Sequence, residues 1–346
     1  MRVLAVTNMF PGPLAPGSGT FVEQQVKGLR TIGLDVHVLH LDREKKGMTV
    51  YLGLSKRLQA EIKKFQPNVV HAMYGGVMAD QVTRTVTDRP TIVTFHGSDL
   101  LGEHLSGPVR KLIAGYGVWA SYKAARRAHS IVAVSKTLRD VLPHDIDRSK
   151  ISIIPNGIDL DRFKPLDRNL CRRLLGWDPN IFHVLFPANS GDPVKRPKLA
   201  QATMDSFRSM GIRGEMHYLR GVPNKEVPVW LNASNVLLLT SLHEGSPTVV
   251  KEGLACDLPV VSVDVGDVTE RIQCVDGCYI ARPEPEDLAV KLSLVCFGKG
   301  MVNGRDKMSE FSLTKTALRL NKLYDHVLQS PTTQRESVSN SESYRP

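Results

Sequence analysis

The chain has 346 residues, of which 42% are hydrophobic, and it contains five cysteines. This length favours two domains over one, and the odd number of scattered cysteines favours reduced thiols over a disulfide framework. No apolar stretch approaches the roughly 20 residues that span a bilayer, and the amino terminus from Met1 to Val6 lacks the features of a secretory signal. We therefore expect a cytoplasmic protein.

The formal net charge is +10, and residues 1–165 hold 23 Lys and Arg against 14 Asp and Glu. No zinc finger, recognition helix or aromatic-and-basic stacking pattern accompanies this charge, which argues against a nucleic-acid partner. An anionic membrane surface or a phosphate-bearing acceptor fits the charge better, and a basic solvated face with no partner is the simpler alternative.

Short β-branched runs alternate with amphipathic helical patterns along the chain, which is typical of doubly wound parallel sheets. The first unit begins with a strand at 2–7, a Gly/Pro-rich loop from Pro11 to Gly19 and a helix from about Thr20 to Gly33. Apolar residues at helical spacing predict another helix over 54–65. Further strands are predicted at 36–41, 69–71, 91–95 and 131–134.

A strand at 151–154 runs into the turn Pro155-Asn156-Gly157, and we place the domain junction there. The second sheet is predicted from strands at 182–186, 215–219, 236–240 and 259–263, closed by helices at 284–297 and 312–329. The predicted domains are 1–160 and 161–329. Residues 330–346 are polar with little apolar surface to bury, so we expect a disordered tail.

Two carboxylates bracket a predicted helix start in the run from Glu244 to Glu252. Ser246 is suited to the N-cap and Pro247 to the first helical position. Because the strand at 236–240 leads into this run, the free N–H groups and the positive end of the helix dipole should face a pocket at the strand's carboxyl end. The pattern predicts an anion site, with Glu252 roughly 9 Å along the helix axis. Two exposed helix charges without a ligand are the alternative.

Four patches together resemble family 4 of the retaining glycosyltransferases, whose GT-B architecture has two Rossmann-like domains facing across a cleft. These patches are the loop Gly17-Ser18-Gly19 before a helix, the run Phe95-His96-Gly97-Ser98-Asp99 after a strand, Pro155-Asn156-Gly157-Ile158-Asp159 at the junction, and the Glu-x7-Glu run. The resemblance extends to about residue 329. The segment from Ser241 to Pro247 is most similar to members that build surface polysaccharides.

The resemblance also implies roles for individual residues. Glu252 would bind the nucleotide ribose, Glu244 the sugar hydroxyls, Lys195 the phosphates, and His96 would lie near the anomeric carbon. The implied catalytic set is His96, Lys195 and Glu244, and the implied donor-binding set is Gly17, Gly19, Lys195, Gly245, Ser246, Pro247, Thr248 and Glu252. No metal or other cofactor is expected, so basic side chains and the helix N-terminus would neutralise the departing diphosphate.

The chain departs from the family pattern at one cation. The family places an arginine five or six residues before the phosphate-binding lysine, where this chain has Asn189 and Ser190. Arg196 or Lys198 are candidates for the missing charge, and the sequence assigns it to neither.

The sequence therefore predicts a retaining glycosyltransferase that moves a hexose-type unit from a nucleotide-sugar donor to a glycan or lipid-linked acceptor. Basic residues flank the apolar segment 112–120, which predicts a helix in a membrane interface and a peripheral position on the inner face of the membrane. The alternatives are a non-catalytic sugar-nucleotide-binding protein, because of the missing arginine, and a GT-B sugar-nucleotide epimerase, which acts without an acceptor. His71 also ends a predicted strand, where it has either a direct role or a structural hydrogen bond.

Overall fold

The computed structural model describes residues 1–12, 17–102, 107–188, 192–298 and 302–329, apart from the side chain of Arg110. Contacts divide the chain into two units, the first made of residues 1–157 and the segment that begins at Leu313, and the second of residues 158–312. The predicted tail at 330–346 lies outside the described residues. So do Asn189 and Ser190, which stand where the family has its arginine.

The first domain contains a parallel sheet and helices that connect its strands. The strands are β1 (Arg2–Thr7), β2 (Asp35–His40), β3 (Val69–Ala72), β4 (Thr91–Phe95), β5 (Ser130–Ala133) and β6 (Ile151–Ile153), in the spatial order β2-β1-β3-β4-β5-β6. The helices are α1 (Thr20–Thr31), α2 (Arg43–Lys46), α3 (Leu54–Phe65), α4 (Gly76–Thr85), α5 (Ser98–Leu101), α6 (Pro108–Arg127) and α7 (Lys136–Val141). Single 3₁₀ turns lie at Gly47–Tyr51 and Arg148–Lys150.

The second domain repeats this architecture with a smaller sheet. Its strands are β7 (Phe182–Phe186), β8 (Gly214–Tyr218), β9 (Val236–Leu239), β10 (Val260–Val263) and β11 (Tyr279–Ala281), in the order β11-β10-β9-β7-β8. Its helices are α8 (Arg168–Leu175), α9 (Pro197–Ser209), α10 (Val227–Ala233), α11 (Thr248–Ala255), α12 (Val268–Ile272), α13 (Pro285–Phe297) and α14 (Gly304–Met308). Single 3₁₀ turns lie at Pro193–Lys195, Asn224–Glu226 and Ser309–Phe311.

The apolar runs of the sequence form the central strands of both sheets. Every residue of β3, β4, β5, β7, β9 and β10 is buried, because helices cover both faces of a parallel sheet. The predicted fold class, α/β with two Rossmann-like doubly wound parallel sheets, is confirmed. Strand β11 was not predicted, since its three residues carry too short a pattern.

The last helix, α15 (Leu313–Gln329), packs on the first domain. The sequence prediction placed it on the second sheet, and this assignment was wrong. Its apolar face joins the core formed by Val22, Val26 and Leu29 of α1. Gly28 permits the approach, because a Cβ there would lie 2.9 Å from the carbonyl oxygen of Leu313. Helical spacing shows that α15 is amphipathic but does not specify which sheet it covers.

His71 links helix α15 to the first sheet through a hydrogen bond. It is fully buried on β3, where its Nδ1 lies 2.8 Å from the hydroxyl of Tyr324 and its Nε2 lies 2.6 Å from Oγ1 of Thr94. Burial lowers the pKa of His71 to about 3, so the ring is neutral at physiological pH. Of the two roles considered for His71, the structure shows the structural hydrogen bond.

Replacing Tyr324 by Phe removes one hydroxyl and leaves Nδ1 of His71 buried without this partner. We expect the free energy of unfolding of the first domain to fall by about 1–2 kcal/mol. Tyr116→Phe, at a ring that is 52% exposed, is the matched control and should have little effect. Differential scanning calorimetry of the three proteins checks this expectation, and equal melting of Tyr324→Phe and wild type would show that the contact contributes nothing.

Candidate functional site

Two of the predicted site residues meet at the carboxyl edge of the second sheet. The strand after β7 in the chain lies on one side of β7 and the next strand, β9, lies on the other, so the strand order reverses between β7 and β9. Ligands of doubly wound sheets bind outside the strand ends at such a reversal. Lys195 follows β7 and Glu244 follows β9, and Nζ of Lys195 donates a hydrogen bond to Oε1 of Glu244.

Further contacts hold the two segments together around this ion pair. The backbone N–H of Leu242 donates to the carbonyl of Val194 over 2.8 Å, and Oγ1 of Thr240 donates to the carbonyl of Lys195 over 2.7 Å. Oγ of Ser241 donates to Oε1 of Glu244 over 2.7 Å. The carboxylate of Glu244 is thereby fixed by a cation and a hydroxyl, with 14% of its side chain exposed.

Arg196, one of the two candidates for the missing cation, binds backbone carbonyl groups. Its guanidinium donates to the carbonyl oxygens of Thr240 and Ser241, the second over 3.1 Å. Burial lowers the pKa of Arg196, although an arginine stays protonated at physiological pH. Arg196 therefore positions the segment that carries Glu244. The sequence analysis considered its charge and missed this role, because nothing in the spacing indicates a bond to backbone carbonyls.

The helix after Glu244 begins one residue later than predicted. Helix α11 begins at Thr248 with Pro247 at the N-cap, and no side chain of the described residues caps it. The prediction that Ser246 is the cap was wrong, because Oγ of Ser246 donates to Oδ2 of Asp267 and accepts a bond from Nζ of Lys251, both over 2.9 Å. Lys251 is fully buried, and a buried amine needs such acceptors.

A second loop, which carries Gly266, packs against the backbone at Gly245. Gly266 has φ +60°, and a Cβ on it would lie 3.1 Å from the carbonyl oxygens of both Glu244 and Gly245. The positive φ and the close approach both favour glycine at position 266. The loop that carries Gly266 therefore packs directly on the backbone that precedes α11, where the positive end of the helix dipole begins.

Glu252 lies on α11, four residues after Thr248, and it is half-buried. Burial raises its pKa to about 7, and the positive charges of Arg162 and Lys251 oppose that rise. Neither Glu244 nor Glu252 is fully exposed, as the alternative from the sequence analysis would require, and ligand binding by the two residues stays a prediction. The carboxylate of Glu252 can accept hydrogen bonds from hydroxyl groups.

His96 lies at the end of β4 in the first domain, with its ring held by polar contacts. Because a carbonyl only accepts, Nε2 donates to the carbonyl of Met73 over 3.0 Å, and Nδ1 accepts from Nδ2 of Asn156 over 3.3 Å. The rings of Tyr74 and Phe21 lie against it, with centroids 5.9 Å and 4.4 Å away. Both ring nitrogens are engaged, so the geometry favours a contact role for His96 over proton transfer.

Asp99 fixes the loop that carries His96. Its buried carboxylate accepts from the backbone N–H groups of His96, Gly97 and Gly75 over 2.8 to 3.1 Å. Burial raises the pKa of Asp99 to about 6, and these N–H groups oppose the rise. The sequence analysis quoted Asp99 and Asn156 within motifs but gave neither a role. The sequence signal for this role was the spacing, because an Asp three residues after His96, which follows a strand, can accept hydrogen bonds from the N–H groups of the turn between them.

The backbone conformation and packing require glycine at only one of the two predicted positions of the amino-terminal loop. Gly19 has φ +66° before α1, and a Cβ on it would lie 2.2 Å from the carbonyl carbon of Met9. Gly17 is exposed, and a Cβ there would have no neighbour within 4 Å among the described residues. The backbone therefore requires Gly19. The predicted donor contacts of both glycines stay predictions.

A cavity of about 150 Å³ opens on the first domain. Tyr51, Tyr74 and Tyr116 line it together with Arg43 and Ser98. The hydroxyl of Tyr51 accepts from Nδ2 of Asn8 over 2.9 Å, and that of Tyr74 lies 2.7 Å from Oγ of Ser98. Aromatic walls with a cation and hydroxyl groups are the composition of a small-molecule pocket.

Helix α6 borders this cavity and exposes a row of apolar side chains. Leu112 is 75% exposed, and the others are Val109, Ile113, Tyr116 and Trp119. Nζ of Lys123 lies 5.0 Å from the ring centre of Trp119. Two further basic residues that follow this apolar segment, Arg126 and Arg127, pair with Asp145 and Asp80. Within the described ranges, no helix combines the length and the apolar character that crossing a membrane requires.

Comparisons with known proteins agree with this architecture. The model of Glycosyltransferase Family 4 matches residues 15–162, and that of Glycosyl transferases group 1 matches residues 190–296. TuaC of Bacillus subtilis (strain 168), which its name assigns to teichuronic acid biosynthesis as a glycosyltransferase, is 27% identical over 78% of this chain and 82% of its own length.

Two solved structures share the fold at low sequence identity. Sucrose-phosphate synthase from Thermosynechococcus elongatus superposes with a TM-score of 0.78, at 15% identity, over 94% of this chain and 99% of its own. HepE of Anabaena in complex with UDP-glucose superposes with a TM-score of 0.68, at 15% identity, over 94% and 99% of the two chains. With both domains matched by glycosyltransferase models, the chain belongs to the family 4-like glycosyltransferases of GT-B architecture.

Proposed function

We propose that this protein is a retaining glycosyltransferase that transfers a hexose-type unit from a nucleotide sugar to a glycan or lipid-linked acceptor in surface polysaccharide biosynthesis. The observation that carries the proposal is the ion pair between Lys195 and Glu244 at the strand reversal of the second sheet. Family membership supplies the reaction class. The polysaccharide context rests on the name of TuaC.

The charged groups around the Lys195–Glu244 ion pair and the N-terminus of α11 suit a nucleoside diphosphate sugar. Lys195 and the backbone N–H groups of Gly245, Ser246 and Thr248 would face the diphosphate at the open end of α11. Glu244 would bind sugar hydroxyls, and Glu252 the ribose. Because Lys195 already neutralises Glu244, the carboxylate repels an entering diphosphate less than an unpaired one would.

The proposed reaction is a front-face displacement at the anomeric carbon. The bond from this carbon to the diphosphate oxygen breaks, and the acceptor oxygen bonds to the carbon on the same face. The acceptor proton passes to the departing diphosphate. Lys195 and the α11 amides would stabilise the charge that develops on this leaving group, so the reaction needs no metal or other cofactor.

The acceptor is proposed to bind the first domain. Its aromatic cavity beside α6 offers ring faces, Arg43 and hydroxyl groups to a glycan. The exposed apolar row of α6 would then lie on the anionic inner face of the membrane, with Lys111 and Lys123 near the headgroups. This arrangement would bring a lipid-linked acceptor to the cavity and give the protein a cytoplasmic, peripheral location.

The direct test is transfer from a panel of UDP-, GDP- and ADP-hexoses to glycan and lipid-linked acceptors, followed by mass spectrometry and by NMR of the new linkage. We expect the donor's anomeric configuration in the product. Glu244→Ala, Glu252→Ala and Lys195→Ala should each lower kcat/KM about 100-fold, which corresponds to about 2.7 kcal/mol of transition-state stabilisation.

Glu226→Gln, at an exposed glutamate of the same domain, is the control for this series and should leave turnover unchanged. Wild-type turnover by both Glu244→Ala and Glu252→Ala would refute the site assignment. Conversion of the donor without any acceptor would indicate an epimerase. Donor binding with no product across the panel would indicate a non-catalytic binding protein, and inversion of configuration would exclude the retaining mechanism.

Membrane contact by α6 is tested with vesicles of phosphatidylglycerol and phosphatidylcholine. We expect the wild type to sediment with the anionic vesicles, and Leu112→Gln combined with Val109→Gln to lower the bound fraction at least about fivefold, because apolar area no longer enters the interface. Leu174→Gln replaces a leucine of α8 that is 67% exposed and should bind as the wild type does. Equal binding by all three proteins, or no binding by the wild type, would contradict the proposal.

A further inference from the structure

Three side chains of the second sheet converge on a point that the proposed reaction does not use. His183 on β7 and His217 on β8 approach each other, with Nδ1 of His183 2.9 Å from Nε2 of His217. Glu215 pairs in register with His183 and precedes His217 by two residues, so it shares their face. Its Oε2 lies 3.9 Å from each of these two nitrogens.

A backbone contact fixes which nitrogen of His183 carries the proton. Nε2 lies 2.7 Å from the carbonyl oxygen of Asp178, which can only accept, so Nε2 donates. Nδ1 therefore presents a lone pair to His217 and Glu215. Histidines that bind metals usually donate their other ring N–H to a carbonyl or carboxylate in this way, which orients the ring.

The same proton assignment fixes the state of His217. Because Nδ1 of His183 is unprotonated, Nε2 of His217 donates the hydrogen bond between the two rings. A metal at this nitrogen requires the ring of His217 to adopt its other neutral tautomer, with the proton on Nδ1. The third group is a carboxylate whose side chain is 56% exposed, so it can move and can be reached from solvent.

Aromatic rings support His217 from the side. The ring of Trp177 stacks on it at a centroid distance of 3.6 Å and an interplanar angle of 11°, and Trp230 meets the ring of Trp177 edge-on at 5.4 Å. These contacts limit rotation of the imidazole. Such restriction of a ligand lowers the entropy lost when a metal binds.

We propose that Nδ1 of His183, Nε2 of His217 and the carboxylate of Glu215 form a site for a divalent first-row transition metal, with Zn²⁺ the expected ion. Two imidazoles and a carboxylate are a common zinc ligand set, with a water as the fourth ligand. Zinc bonds of about 2.0–2.1 Å place tetrahedral ligand atoms about 3.3 Å apart. The observed separations of 2.9 and 3.9 Å require shifts of a few tenths of an ångström.

Such an ion would link β8, the edge strand of the second sheet, to its neighbour β7. Its effect should be on stability and not on sugar transfer, because the three ligands lie within β7 and β8, whereas Lys195 and Glu244 belong to the segments that follow β7 and β9. The hydrogen bond between the two imidazoles would give way to the two metal bonds.

The test is calorimetric titration of the full-length protein, dialysed first against a chelator, with ZnCl₂. We expect a 1:1 complex with a dissociation constant in the micromolar range or below, and a rise in the melting temperature. Glu215→Gln and His217→Gln should each weaken binding at least about tenfold, and Glu215→Gln changes a side chain that is 56% exposed and nearly preserves its shape. His37→Gln alters a His–Glu pair of the first domain, 2.9 Å apart, and serves as the matched control.

A spectroscopic measurement locates the ion. Co²⁺ bound at His217 should quench the fluorescence of Trp177 and Trp230, whose ring centres lie 3.6 Å and 6.5 Å from that of His217. Trp177→Phe should remove the part of the quenching that Trp177 contributes. Absence of a 1:1 complex in the wild type would overturn the proposal and leave the histidines as a hydrogen-bonded pair. Binding that both Glu215→Gln and His217→Gln leave unchanged would place the metal elsewhere and overturn it as well.

Discussion

Lys195 and Glu244 are 49 positions apart in the chain, and the strand order of the second sheet brings their charged groups into one ion pair. The rest of the candidate site depends on this contact. Arg196 binds the carbonyls of Thr240 and Ser241, and Ser241 binds Glu244, so each segment positions the other. In the proposed reaction, the fixed charge of Lys195 would stabilise the departing diphosphate better than water does, because water molecules must first reorient.

The architecture was predictable where the pattern of apolar residues indicates a single type of secondary structure. The runs at β4 and β7 are buried on both faces, and their predicted bounds agree with the structure. Helix α15 was predicted as an element but assigned to the wrong domain. Its partner is decided by contacts such as those of Gly28 and of Tyr324 with His71, which join residues far apart in the sequence. Local spacing carries no information about them.

The site was predictable to the level of its motifs and not of its hydrogen bonds. Lys195 and Glu244 follow strands of one sheet, so their convergence followed from the fold. Ser246 was assigned to the helix cap because residue type and spacing favour it. In the structure its hydroxyl binds the buried amine of Lys251, and no local rule indicates that this lysine points inward. No local rule indicates the contact of Asn156 either. This residue belongs to the turn at the predicted domain junction, and its side chain donates a hydrogen bond to His96.

The central claim is that a nucleoside diphosphate binds at the ion pair of the second domain. Titration of the full-length protein with UDP, GDP and ADP, followed calorimetrically, tests it most directly. We predict that at least one of them binds at a single site, stabilising the fold by about 2.7 kcal/mol at 100 times its dissociation constant. Lys195→Ala and Glu252→Gln should weaken that binding at least about tenfold. Failure of all three nucleotides to bind, or binding that neither substitution alters, would contradict the claim.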